Sequence, residues 1–170
     1  MLATEVNAAQ FRRAMGKFAT GVTVITFFHE GRPAGMTANA FMSLSVDPPM
    51  ILISARNQAR FAQTVKEGKR FGVSFLAEEQ EDLSRHFGGQ PQAGLESPFE
   101  FAGEVPVIRS ALVQMVVRVH AIHAGGDHRI YAADVESLNE SDGHPLLFFS
   151  GKYKQLHALD PSQCWNGAAW

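Results

Sequence analysis

Cysteine is almost absent: Cys164 is the single one in 170 residues. No intrachain disulfide can form, and a reducing, cytoplasmic setting is expected. No partner group surrounds Cys164 in the sequence, which favours a spectator thiol over a nucleophile. No apolar run approaches the roughly 18 to 20 residues that span a bilayer, so no segment reads as a membrane helix. The first residues show no unbroken apolar stretch before a small-residue cleavage site, so no secretory signal is read there. Arg12, Arg13 and Lys17 faintly suggest a transit peptide, but Phe11, Ala14, Met15 and Phe18 fall at helical spacing and read as part of the fold. An excess of one charge is missing too, with 15 Lys and Arg against 17 Asp and Glu. Nucleic-acid binders concentrate basic charge on one face, so that class is not expected. What remains, 45% hydrophobic and 19% charged residues, is the make-up of a folded globular chain. Its length predicts one domain over residues 1–170, with no room for a separate nucleotide-binding domain.

Along the chain, Asn7 is placed to cap a first helix. Val22 to Phe28 is dense in β-branched and aromatic residues, and Glu30-Gly31-Arg32-Pro33 supplies a turn before Ala34 to Asn39, which together read as a hairpin. Asp47-Pro48-Pro49 breaks the chain, and the strand Met50 to Ser54 is expected to begin after the prolines, which cannot donate to a sheet. Asn57 to Glu67 reads as a short helix stopped by Gly68, and Arg70 to Leu76 as a strand. Glu78 to Phe87 reads as a helix with acid at its start and Arg85 and His86 at its end, matching the helix dipole. Gln90 to Gly103 lacks any period and reads as a long surface loop. Ala111 to Ala124, Arg129 to Leu138 and Leu146 to Phe149 read as strands joined by glycine turns. About seven strands with few helices predict a mainly β, closed or nearly closed antiparallel barrel.

Several chemistries find no support. His120 and His123 lie three apart in a strand, where alternation sends them to opposite faces, so no metal is expected. Neither Gly-x-Ser-x-Gly nor a Rossmann glycine fingerprint is present. Three segments stand out. Between Gly35 and Pro49 small and hydroxylated residues suit the approach of a planar ligand, with Thr37, Asn39 and Ser43 offering hydrogen bonds to a ring edge; a polar turn is the plainer alternative. From Ser54 to Thr64 a strand end runs into a helix start, where backbone N–H groups and Arg56, Arg60 and Lys66 suit a phosphate; a solvated basic helix edge is equally compatible. Gly126-Asp127-His128-Arg129 carries a turn histidine, which is ordinarily solvent-exposed.

Taken in order, "FRRAMGKFATGVTVIT", "GMTANAFMSLSVDPPMILIS", "FGVSFLAEEQEDLSRHF", "GDHRIYAADV" and "GKYKQL" resemble the flavin reductase family, from Phe11 to about Leu156. These are small NAD(P)H:flavin oxidoreductases that supply reduced flavin to separate monooxygenases. The resemblance implies a six-stranded antiparallel split β-barrel (Greek key) with short peripheral helices, usually a homodimer with flavin near the subunit interface. It implies FMN or FAD as the flavin and NADH or NADPH as the hydride source. Met36, Thr37, Ala38, Asn39 and Ser43 would lie along the ring and ribityl chain, and Ser54, Ala55 and Arg56 would follow the chain outward. Asn57, Arg60 and Phe61 would meet the phosphate. Many relatives show a Ser-Ala-Ser-Thr-like stretch where this sequence has Gln58-Ala59-Arg60-Phe61, so Arg60 is expected to replace hydroxyl contacts by charge pairing. Phe87 and Gly88 would approach the adenine or dimethylbenzene side, and Tyr153 would border the pocket. His128, in the Gly-Asp-His motif, would position the nicotinamide and favour negative charge on reduced flavin. Two other readings suit the same barrel: a pyridoxamine-phosphate-oxidase-like oxidase, and a non-enzymatic flavin or haem carrier. The tail, residues 157–170 with Trp165 and Trp170, lies outside the resemblance.

Overall fold

A computed structural model describes residues 6–156, so Cys164 and the tail with Trp165 and Trp170 lie outside the described residues. Helix α1 (Ala8–Met15) is capped as expected, the Asn7 Oδ1 accepting the Gln10 N–H at 2.9 Å. A short strand β1 (Thr20–Gly21) leads into β2 (Thr23–His29), and β3 (Arg32–Ala38) returns antiparallel to it. Glu30 and Gly31 form the two-residue turn between them, both at positive φ, the geometry that matches strand twist in tight hairpins. Strands β4 (Phe41–Val46) and β5 (Pro49–Arg56) follow, then helix α2 (Arg60–Thr64) and β6 (Arg70–Phe75). A 3-10 turn (Glu78–Gln80) precedes helix α3 (Glu81–Phe87). The last third comprises β7 (Phe99–Ala102), β8 (Val105–Ile108), β9 (Val113–Gly125), β10 (His128–Glu140), β11 (Leu147–Phe149) and β12 (Lys152–Lys154). No helix among the described residues is long and apolar enough to cross a membrane.

Seven strands form the main sheet, in the order β3-β2-β6-β9-β10-β5-β4, with antiparallel pairing throughout. This corrects the expectation of a closed six-stranded barrel. The seventh strand is β4, whose Phe41-Met42-Ser43-Leu44-Ser45-Val46 bulges against β5 between Ser43 and Ser45; Met42, Leu44 and Val46 alternate with the two serines, yet all three are exposed, so the strand buries no face. The sheet does not close, because β3 and β4 are its two edges and do not pair with each other. Yet only Asn39 and Ala40 join those edges, and three Cα steps cover at most about 11 Å. The sheet must therefore curl until its edges approach, leaving a seam at Thr37 to Ala40.

The interior of the curl holds the main core, including Ile25, Ile53, Phe71, Val73, Val117 and Tyr131. One-turn helix α2 plugs it, inserting Phe61 and Ala62, with Val65 just past its end. Phe61 is fully buried, with edge-on ring contacts to Phe27 at 5.4 Å, Phe71 at 5.1 Å and Tyr131 at 4.8 Å. A second cluster, Val22, Val24, Leu76, Ile108, Ala111 and Leu146, lies beneath α3 and the small β1-β11-β12 sheet.

Other expectations shift in bounds. β5 begins at Pro49 rather than after it, because a first strand residue needs no ladder N–H. α2 is shorter than residues 57–67 because Val65 turns extended, at φ −89° and ψ 124°. The surface loop read over residues 90–103 ends in β7, which pairs with β8. The apolar stripe of α1 buries nothing: Phe11, Met15 and Phe18 are all exposed.

Candidate functional site

The seam opens into a cleft of about 500 Å³, well inside the range of small-molecule sites. Met36, Thr37, Ala38, Asn39 and Ala40 form one wall from the end of β3, and Ser54, Ala55 and Arg56 the facing wall from the end of β5. Gln58 and Ala59 continue the second wall, Phe87 and Gly88 close one end from α3, and His128 stands at the start of β10. Pairing of β5 with β10 sets His128 opposite Arg56, which brings the histidine of a distant turn to the cleft.

Most of these walls are small side chains, so a flat ligand can lie against the backbone. Met36, Arg56, Gln58, His128 and Phe87 are the large ones, and a glycine makes the place of Phe87. A Cβ on Gly35 would stand 2.6 Å from the Phe87 ring, so β3 must have glycine there for the ring to lie against it. Behind the wall, the Thr37 hydroxyl donates to the Ser84 carbonyl at 2.7 Å, and the Ser84 hydroxyl shares a hydrogen bond with the Tyr153 hydroxyl at 2.8 Å. Ser84 is fully buried. Residues far apart in sequence thus tie β3, α3 and β12 together, and the Arg85 guanidinium lies 4.9 Å from the Tyr153 ring centre.

The charge of the cleft is one-sided. Arg56 lines it and no aspartate or glutamate does. Arg56 has no ion-pair partner among the described residues, whereas Arg70 and Arg118 are both spent on Glu136. His128 Nδ1 lies 2.7 Å from Asp127 Oδ1. That hydrogen bond holds the Asp127 carboxyl below its ordinary value, so it stays ionised and accepts; the ring proton then sits on Nδ1. Nε2 is left with no protein partner among the described residues, a hydrogen-bond acceptor whenever the ring is neutral.

Of the residues singled out from sequence, Met36, Thr37, Ala38, Asn39, Ser54, Ala55, Arg56, Phe87, Gly88 and His128 come together around the cleft. The rest do not line it. Phe61 is a core residue with no surface to offer a ligand, because α2 turns it inward. Arg60, one position earlier, is exposed and outside the cleft. Helix α2 is a single turn, too short to supply the dipole expected for a phosphate. Ser43 is exposed on the edge strand β4. Asn57 points its amide at the Gly126 carbonyl, at 3.2 Å. Tyr153 lines a smaller adjoining cavity of about 160 Å³, which shares Thr37, Ala38 and Asn39 with the cleft. Sequence reasoning missed Ala40, Gln58 and Ala59 as wall residues and Ser84 as their support. The first three sit inside the segments already noted, but nothing local marks Ser84.

The model of the flavin reductase like domain matches residues 15–157 of this chain. The chain belongs to the flavin reductase family. An NADH-dependent flavin reductase from Rhodococcus is 38% identical over 95% of the chain and 94% of its own length. The reductase component of 4-hydroxyphenylacetate 3-monooxygenase from Thermus thermophilus is 37% identical, over 86% of the chain and 95% of its own length. Among solved structures, the flavin reductase PheA2 in its native state shares 42% identity, with a TM-score of 0.85 over 90% of this chain and all of that one. The family's fold thus agrees with the mainly β architecture described above.

Proposed function

We propose that this chain is an NADH-dependent flavin reductase that supplies reduced FMN or FAD to a separate monooxygenase. One observation carries the placement of the site: a cleft at the seam with many small wall residues, lined by Arg56 and by no carboxylate. A flavin is flat, and its phosphate is anionic; the cleft matches both properties. When bound, flavin supplies the redox chemistry, taking a hydride from NADH. Ala38, Ala40, Ser54 and Ala55 leave the slot in which the rings stack and fix their separation. Arg56 pairs with the phosphate, the role expected of Arg60 from sequence. His128 holds its proton on Nδ1 against Asp127 and accepts the nicotinamide carboxamide N–H at Nε2. NADH enters beside the flavin in the same cleft, where His128 lines the wall next to Arg56.

The protein acts as a homodimer in the cytoplasm, and two exposed apolar faces support the dimer. Phe11, Met15 and Phe18 on and after α1, and Met42, Leu44 and Val46 on edge strand β4, find no cover among the described residues.

Purified protein mixed with NADH and FMN or FAD tests the reading by NADH absorbance. Flavin-dependent loss is expected, and its absence with either pyridine nucleotide would sink the function. His128→Ala should lower the rate of flavin reduction roughly 10- to 100-fold if it orients the nicotinamide; an unchanged rate and unchanged NADH affinity would remove that role. A pyridoxamine-phosphate-oxidase-like oxidase or a flavin or haem carrier would show no such NADH consumption.

A further inference from the structure

His128 sits at the end of a very tight turn. Gly125 pairs with His128, so Gly126 and Asp127 are the turn's two central residues, with Gly126 at φ 69°. In such a turn the carbonyls of the central residues have no partner inside the turn. Both are met by one residue of another segment. The Asn57 backbone N–H donates to the Asp127 carbonyl at 3.0 Å, and the Asn57 side-chain amide donates to the Gly126 carbonyl at 3.2 Å. Asn57 therefore grips both central peptides of the turn that carries the Asp127–His128 pair. It also follows Arg56 directly and precedes Gln58 and Ala59, all three of which line the cleft.

We propose that Asn57 is a positioning residue for hydride transfer: it clamps the turn, holds Asp127 on His128 Nδ1, and so presents Nε2 to the nicotinamide. The inference rests on the reading of the cleft as the site where NADH meets flavin. It replaces the expectation that the Asn57 side chain binds phosphate, because that amide is already committed to Gly126. The residue type fits the task. A donor is required at this reach, and an aspartate of the same shape would set a carboxylate against a carbonyl oxygen. Because the segment carrying Arg56 and the turn carrying His128 are tied through Asn57, ordering of the first by a flavin phosphate would also order the second. Flavin would then tighten NADH binding, and NADH would tighten flavin binding by the same factor.

The test uses wild type, Asn57→Ala and the isosteric Asn57→Asp. In flavin-free protein, the ring nitrogen NMR shifts of His128 should report a single Nδ1–H form in wild type and a mixture of forms in both variants. In turnover with FMN, Asn57→Ala should raise the KM for NADH or slow hydride transfer roughly 5- to 20-fold. FMN affinity measured without NADH should change less than about twofold, since the amide is turned to the Gly126 carbonyl. Asn57 is exposed, so the melting temperature should hardly move. Unchanged His128 shifts together with weakened FMN binding would overturn the proposal and make Asn57 a phosphate ligand. If wild type itself consumed no NADH with flavin, the functional reading would fail, while the His128 shifts would still decide whether Asn57 clamps the turn.

Discussion

Phe61 and Ala59 are two residues apart and belong to different worlds. Phe61 is fully buried among Phe27, Phe71 and Tyr131, inside the curled sheet. Ala59 faces the cleft beside Gln58 and Arg56. The core is filled by large rings in mutual contact, whereas Ala38, Ala40, Ser54, Ala55 and Ala59 leave much of the cleft wall with almost no side chain. The lesson is that one short segment, the end of β5 and the single turn of α2, builds both. The rings fix where the backbone runs, and the small side chains leave that backbone open to a ligand.

The contrast can be broken most sharply on its core side. Phe61→Ala should cost about 3 to 5 kcal/mol of stability, read by denaturant unfolding, because it empties a ring-sized hole at the centre of the curl. Stability near wild type with a selective loss of flavin binding would move Phe61 to the cleft.

On the cleft side, Arg56→Ala should weaken FMN by about 1.5 to 3 kcal/mol, the usual size of a hydrogen bond to a charged group. Riboflavin, lacking the phosphate, should be little affected. Arg60→Ala should leave both ligands near their wild-type affinity; selective weakening of FMN by that variant instead would restore the role read from sequence. Between the two regions, Ser84→Ala should cost about 1 kcal/mol and loosen Tyr153, while the Thr37 bond to the Ser84 backbone carbonyl stays in place. Equilibrium unfolding measures the first effect, and Tyr153 fluorescence anisotropy the second.

The smallest effect concerns protons. The hydrogen bond to His128, with the histidine's charge adding to it, lowers the Asp127 carboxyl from its ordinary value. For a lowered acid, the favourable contribution is present above the unfolded-state value, about 3.9 for aspartate, and fades as pH falls through the folded one. The pair therefore persists across neutral pH and opens only in acid. A carboxyl NMR titration should place the Asp127 midpoint below that ordinary value and move it back up in His128→Ala. An unmoved midpoint would mean that the two side chains are not bonded in solution.

Much of this was legible in sequence because it is local. The Asn7 cap, the Glu30-Gly31 turn, the acidic start of α3 and the Gly126 turn each rest on a few adjacent residues. The wall residues were legible because small and polar residues cluster at two strand ends. What failed was non-local. Strand β4 does alternate Met42, Leu44 and Val46 with Ser43 and Ser45, but that signal sits inside a run of small and hydroxylated residues that reads equally as an irregular binding stretch, and an exposed edge buries neither face. Phe99-Glu100-Phe101-Ala102 does alternate before Gly103, but the irregular stretch preceding it hid that short strand. Phe61 looked like part of a basic helix start, and only the direction in which α2 enters the curl turns it inward. The Ser84 link spans 47 residues to Thr37 and 69 to Tyr153, beyond any local pattern.

The most direct test of the central claim is the position of flavin in a crystal structure of the FMN complex. The ring is expected between the Thr37 to Ala40 wall and His128, with the phosphate against Arg56. A ring lodged instead beyond Asn39, in the apolar cavity of about 300 Å³ lined by Phe18, Val22, Phe41 and Phe75, would contradict it.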